Sequence, residues 1–305
     1  MNSIMKHQMN TKEWSLLLAC SFLWGGSFFF IEVALRGLPP FTLVFLRVGL
    51  AAIALVMAAR ILKIQFPKSK TIILAFIFVG LTNNAVPFTL ITLGQTQISS
   101  GLASIFNATM PIWTVIIAHL WTSDEKLTLN RGIGVALGFI GVGVMMGLDA
   151  FEDFNGTLTG QFAILGATFS YGIAAVFSRR FKAWGVPPMA IATGQLCSAS
   201  IIMLPLVMII DQPWTLPMPG PDVWAAIFGI ALLSTALTYY LYFKFLESAG
   251  ATNVSLVTLL VPVNAILLGV FILNESLELK HLLGMTIIAL GLLAIDGRLF
   301  PKNRL

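Results

Sequence analysis

Asn83 and Asn84 stand near the centre of an apolar run that extends from about Ile72 to Leu93, with Pro87 close behind them. An amide at that depth must face protein or a water-filled cavity, since a polar group left unsatisfied in hydrocarbon costs about 2–7 kcal/mol. Pro87 has no N–H, so the carbonyl of Asn83 loses its helical partner. Pro111 does the same to Asn107, and Pro262 to Thr258. Amides, hydroxyls and freed carbonyls of this kind can orient a polar ligand. Glu32 and Arg47 also lie in apolar runs. They could form an ion pair, or Glu32 could carry a proton; the plainer reading is a structural bridge or an arginine snorkelling to the interface. His119 and Asp124 have the spacing of an acyltransferase acid/base pair, a single match that chance readily supplies in a long chain.

The surroundings of these residues are those of a membrane protein. Of 305 residues, 57% are hydrophobic and 10% charged, and mean hydropathy is +0.90, against about 25% charged in soluble domains. Glycine (26) and proline (14) are frequent, as they are in transmembrane helices. Cys20 and Cys197 lie in apolar runs, which argues against a disulfide framework, and His7, His119 and His281 are too scattered for a metal cluster. No cofactor motif is present: there is no Gly-x-Ser-x-Gly elbow, Walker loop, dinucleotide fingerprint or zinc-ligand helix. The run from Trp14 to Leu35 exceeds the length of a signal-peptide core and reads as a first membrane span.

Spans of about 20 apolar residues are expected at 13–35, 41–60, 71–93, 98–121, 131–148, 159–179, 188–210, 222–243, 250–273 and 280–296. With the N-terminus in the cytoplasm, fifteen of the eighteen basic residues fall inside, Arg36 and Lys280 outside, and Arg47 within the second span. The positive-inside rule thus predicts a multi-pass inner-membrane protein with both termini cytoplasmic. The net charge of +5 is a topology signal with a contribution from lipid contact, and no nucleic-acid partner is expected.

The chain repeats itself. Trp24-Gly25 aligns with Tyr171-Gly172 and Leu38-Pro39-Pro40 with Val186-Pro187-Pro188; Pro111 aligns with Pro262, Glu125 with Glu275, Leu127 with Leu277 and Gly134 with Gly284. The offset of about 150 residues is five helices. Five is odd, so the second copy enters the membrane the other way, an architecture frequent in secondary transporters with substrate near the midplane. The expected fold class is an all-α integral membrane protein, with one five-helix repeat at 13–148 and the other at 159–296.

Trp24-Gly25-Gly26-Ser27-Phe28, Leu38-Pro39-Pro40 followed by Arg47, the mid-helix Pro111, and Glu125-x-Leu127 with Gly134 together resemble the EamA-type family of the drug/metabolite transporter superfamily. The resemblance covers roughly 13–296 and both repeats. It implies ten helices in two inverted bundles and export of small metabolites such as amino acids or nucleosides, without implying which one. The second copy departs from the pattern, with Tyr171 for the tryptophan and Gln195 opposite Arg47.

Within this frame Asn84 corresponds to Thr235, Phe88 to Tyr239 and Asn107 to Thr258. A midplane cavity lined by Trp24, Asn84, Phe88, Asn107, Tyr171, Thr235, Tyr239 and Thr258 is expected, with Pro87, Pro111 and Pro262 as kinks and Asn83 capping its own kink. Ser100, Ser104 and Thr114 read as helix–helix contacts. Glu125 and Glu275 are expected to cap the helices that follow them. Gly134, Gly138, Gly143 and Gly147 suggest close packing of the fifth helix or a homodimer through it. The leading reading is an exporter of a small metabolite working by alternating access. The rivals are a membrane acyltransferase using His119 and Asp124, and a passive channel.

Overall fold

The computed structural model describes residues 10–123, 127–146, 157–254 and 256–296. Among these residues the chain forms ten helical rods and no strand. They are α1 (Thr11–Ala34), α2 (Pro40–Ile61), α3 (Lys70–Gln95), α4 (Ser100–Trp121), α5 (Leu129–Met146), α6 (Thr157–Ala183), α7 (Pro188–Asp211), α8 (221–254), α9 (Leu256–Leu273) and α10 (Leu279–Asp296). Seven of them, α1–α4 and α6–α8, are long and apolar enough to cross a bilayer; α5, α9 and α10 contribute the shorter apolar stretches Leu129–Val144, Leu260–Leu273 and Leu279–Ile295. The expected break at 244–249 is absent, because α8 continues as helix to Val254. The polar Lys244 and Ser248 looked like a connection, but no proline or cap interrupts the helix there. Position 148 of the fifth expected span, like Gly147, lies outside the described residues.

Local chemistry sets where the rods begin. Asn10 and Glu13 close a capping box on α1: Glu13 N–H donates to Asn10 Oδ1 at 3.0 Å and Asn10 N–H to Glu13 Oε2 at 2.9 Å. Other helix starts are capped from across the molecule. Asp211, ending α7, accepts from the Thr42 N–H (2.6 Å) and hydroxyl (2.8 Å) at the start of α2. Glu275 accepts from the N–H groups of Ser100 (2.8 Å) and Gly101 (2.9 Å) at the start of α4. Glu275 therefore caps a helix of the first repeat, not the helix that follows it, since only the α4 end brings two free N–H groups within its reach. Glu125 lies outside the described residues.

The contacts obey the repeat. The alignment that pairs Gly134 with Gly284 also pairs Gly141 with Gly291. A Cβ on Gly134 would meet the carbonyl oxygen of Gly291 at 2.5 Å, and one on Gly141 would meet that of Gly284 at 2.8 Å. Exchanging the repeats exchanges these two contacts, which is the signature of a pseudo-two-fold axis between antiparallel α5 and α10. Likewise Gly25 of α1 lies against Asn264 and Ala265 of α9, and Gly172 of α6 lies against Trp113 and Thr114 of α4. These too are equivalent pairs, since Trp113 aligns with Asn264. The neighbour map follows the same rule: α2 packs on α7, α3 on α7 as α8 on α2, α3 on α6 as α8 on α1.

The kinks are of two kinds. In α3, Leu81–Ala85 is a π turn, with the N–H of Val86 bonding the Leu81 carbonyl, and the helix resumes with Pro87 in its first turn. Pro87 cannot donate, so the wider turn spaces the backbone around it. Its exposed carbonyl at Thr82 accepts from the Ser170 hydroxyl of α6 at 2.7 Å. In α4 the helix breaks at Ala108 and Thr109, just before Pro111. Pro262 sits inside a continuous α9. A second π segment, Gly229–Leu237 in α8, stands at the repeat-equivalent position of the first and contains no proline. There the Thr235 and Thr238 hydroxyls donate to the carbonyls five residues back, Ile230 and Leu233, each at 2.7 Å.

Candidate functional site

The π segments of α3 and α8 bring polar side chains together between α2, α3, α7 and α8, while a third, Val207–Asp211, ends α7 away from the cluster's hydrogen bonds. Arg47 on α2 lies over the Phe88 ring, 3.5 Å from its centroid, and its Nε donates to the Thr235 hydroxyl at 3.2 Å. On the other side of the pseudo-axis, the Asn83 amide donates to Gln195 Oε1 (3.1 Å) and to the Tyr239 hydroxyl (3.3 Å). The Tyr239 hydroxyl in turn donates to Asn84 Oδ1 at 3.3 Å. Small and apolar residues on α2 and α7 (Val48, Ala51, Ala192, Ala199) pack around these groups, allowing the four helices to approach closely. The centre is nearly sealed: Asn84 is 0% exposed, Thr235 1%, Gln195 3%, Arg47 5% and Phe88 5%.

Arg47, Phe88 and Thr235 are the repeat mates of Gln195, Tyr239 and Asn84. The site is therefore one constellation built twice, once with a cation and once with neutral amide and phenol. Tyr171 on α6 packs at its edge. Asn84 Nδ2 is buried here with no hydrogen-bond partner, as is Asn107 Oδ1 on α4, outside the cluster. Native structures keep few such atoms, and each calls for an explanation.

Of the residues expected to line the cavity, the structure joins Asn84, Phe88, Thr235 and Tyr239, with Tyr171 beside them. Trp24 packs on Tyr242, with ring centroids 5.2 Å apart, and no ring contact or hydrogen bond ties it to Arg47 among the described residues. Asn107 ends the first half of α4, which runs antiparallel along α9 with Gly101 near Ile266 and Ser100 near Gly269. That packing sets Asn107 beside the half of α9 that carries Thr258. The expected Glu32–Arg47 ion pair is not formed. Arg47 turns inward to Phe88 and Thr235, where a ring face and a hydroxyl suit a weakly hydrated guanidinium.

Glu32 belongs instead to a vestibule of about 620 Å³ with Arg36, Gln95, Thr96 and the Leu38-Pro39-Pro40 turn. Gln95 donates to the Phe28 carbonyl at 2.9 Å. Its own oxygen and Glu32 Oε2 are both buried without a hydrogen-bond partner. Asn83, expected only to cap its kink, is a bridge between repeats. Gln195 was legible as the mate of Arg47, but its bond to Asn83 was not. His119 Nδ1 accepts from the Leu127 N–H at 3.0 Å, a loop-tying role; Asp124 lies outside the described residues.

Helical rods of bilayer length, arranged as two repeats around a buried polar cluster, define a multi-pass membrane protein of two-repeat architecture. Residues 12–147 and 158–295 each match the EamA-like transporter family. The chain belongs to that family and is a membrane transporter. Its relatives include the uncharacterized transporter YoaV of Bacillus subtilis, 25% identical over 277 residues (90% of this chain and 94% of the relative). An uncharacterized transporter of Archaeoglobus fulgidus is 25% identical over 287 residues, covering 92% and 97%. The uncharacterized inner membrane transporter YedA of Escherichia coli is 25% identical over 295 residues, covering 94% and 92%. One solved crystal structure superposes with a TM-score of 0.67 at 16% identity, covering 96% of this chain and all of that one, a likeness of fold.

Proposed function

We propose that the protein exports a small metabolite, such as an amino acid or related compound, across the cytoplasmic membrane by alternating access. Ten spans form two inverted bundles, 13–148 and 159–296, with both termini cytoplasmic. The observation that carries the reading is the polar cluster that straddles the pseudo-axis, each half standing at a π segment. A π turn is a local irregularity of backbone spacing that accompanies functional sites, and the repeat-equivalent ones in α3 and α8 let the bundles rock about a common site. The orphaned amide atoms of Asn84 and Asn107 are groups that a bound polar ligand would satisfy. Gly143 of α5 faces open space, and a homodimer through this helix would use that side.

Coupling to protons is favoured by the vestibule. Glu32 Oε2 and Gln95 Oε1 are both buried acceptors without a partner, and one proton on Glu32 would turn its carboxylate into a donor. Glu275 and Arg36 are the other charged groups that act on Glu32.

Untargeted mass spectrometry of the medium tests export. Cells expressing the wild type are expected to accumulate one compound class outside that cells expressing Asn84→Ala at equal levels do not. Identical media from wild type, variant and empty control would remove the support for export.

A further inference from the structure

Arg47 carries a full charge at 5% exposure, and no carboxylate lies within 4 Å of it among the described residues. Its protein partners are a hydroxyl and a ring face. A buried cation ordinarily has an acid beside it, since the attraction offsets desolvation. Of the five N–H donors on the guanidinium, Nε–H alone has a hydrogen-bond partner among the described residues, so the fork that matches a carboxylate is uncommitted. The repeat sharpens the point. Its mate, Gln195, occupies the equivalent place with a neutral amide whose oxygen accepts from Asn83. The two halves share their architecture and differ in charge, and a difference of that kind orients a ligand with unlike ends.

We infer that Arg47 is the counter-ion for a carboxylate on the transported molecule, so that the substrate is a small organic acid or zwitterion. Its carboxylate lies on the guanidinium in the half built by Phe88 and Thr235. Its neutral or apolar end lies toward Tyr239, Asn84 and Tyr171. The Phe88 ring and the Thr235 hydroxyl hold the guanidinium plane in place and leave its terminal nitrogens to the ligand. This deepens the transport reading and rests on it for the word "transported"; the recognition itself stands without it.

The test is thermal unfolding of the purified full-length protein in detergent, with matched probes: benzoate, L-leucine and L-phenylalanine against L-leucinamide and L-phenylalaninamide. The wild type is expected to be stabilised by the carboxylates and not by the amides. Arg47→Met should unfold no earlier than the ligand-free wild type and respond to none of the probes. Arg47→Lys, which keeps the charge without the fork, should keep the response with affinity lowered about tenfold. Equal stabilisation by acids and amides would overturn the assignment, as would indifference of the wild type to every carboxylate. An Arg47→Met protein that unfolds well below the wild type would also overturn it, by making Arg47 a structural residue. A probe that binds through Arg47 yet shows no counterflow in proteoliposomes would sink the transport reading and leave the carboxylate site standing.

Discussion

The Tyr239 hydroxyl is the hinge of the neutral half of the site, accepting from Asn83 and donating to Asn84, each at 3.3 Å. Tyr239→Phe removes both bonds and gives the second repeat the same ring that Phe88 provides in the first. Its stability should fall by about 2 kcal/mol, about 1 for each bond, while uptake into proteoliposomes falls far more; denaturation and flux measured on the same preparation separate the two. The sequence exposed Asn84, Phe88, Thr235 and Tyr239 because amides, hydroxyls and aromatics stand out in apolar runs and because the repeat pairs them. It did not expose where Arg47 points. A guanidinium on a long stem can reach either end of its helix, and only the packing of α3 and α8 turns it onto Phe88 instead of toward Glu32.

Two helices of the first repeat, α2 and α4, begin on acids of the second, Asp211 and Glu275, which fasten the bundles together. Glu275→Gln keeps a hydrogen-bond acceptor and removes the charge at the start of α4, so stability should drop by about 1 kcal/mol. Glu275→Ala should cost about twice that, because both N–H groups then lose their partner; thermal unfolding in detergent checks the order. Rod positions were largely legible, since apolar length and proline pairs such as Leu38-Pro39-Pro40 mark them. The kink in α3 was visible through Pro87, but its π turn was not, so the carbonyl it frees is that of Thr82 and not of Asn83. Its counterpart in α8 was silent, because the threonines that sustain Gly229–Leu237 by bonding back five residues look like any other membrane threonines. The run at 244–249 misled in the opposite sense, its polar residues suggesting a loop where the helix simply continues.

At the scale of the whole molecule the fold is one five-helix plan used twice, and the α5–α10 seam records it in glycine contacts that exchange under the pseudo-two-fold. The alignment of Gly134 with Gly284 anticipated the repeat, whereas the contact between Gly134 and Gly291 follows from three-dimensional packing alone. On the mechanism proposed above, the buried cluster, closed in this structure, opens to one side and then to the other. That is the central claim, and labelling tests it. Cys20 and Cys197, the free thiols, are replaced by serine, and Ala51→Cys, one turn beyond Arg47 on α2 and packed against the cluster, is introduced. A membrane-impermeant maleimide is then applied to inside-out vesicles and, separately, to right-side-out vesicles. Alternating access predicts labelling from both sides, each suppressed by a bound substrate; labelling from neither side, or from one side only under all conditions, would contradict it.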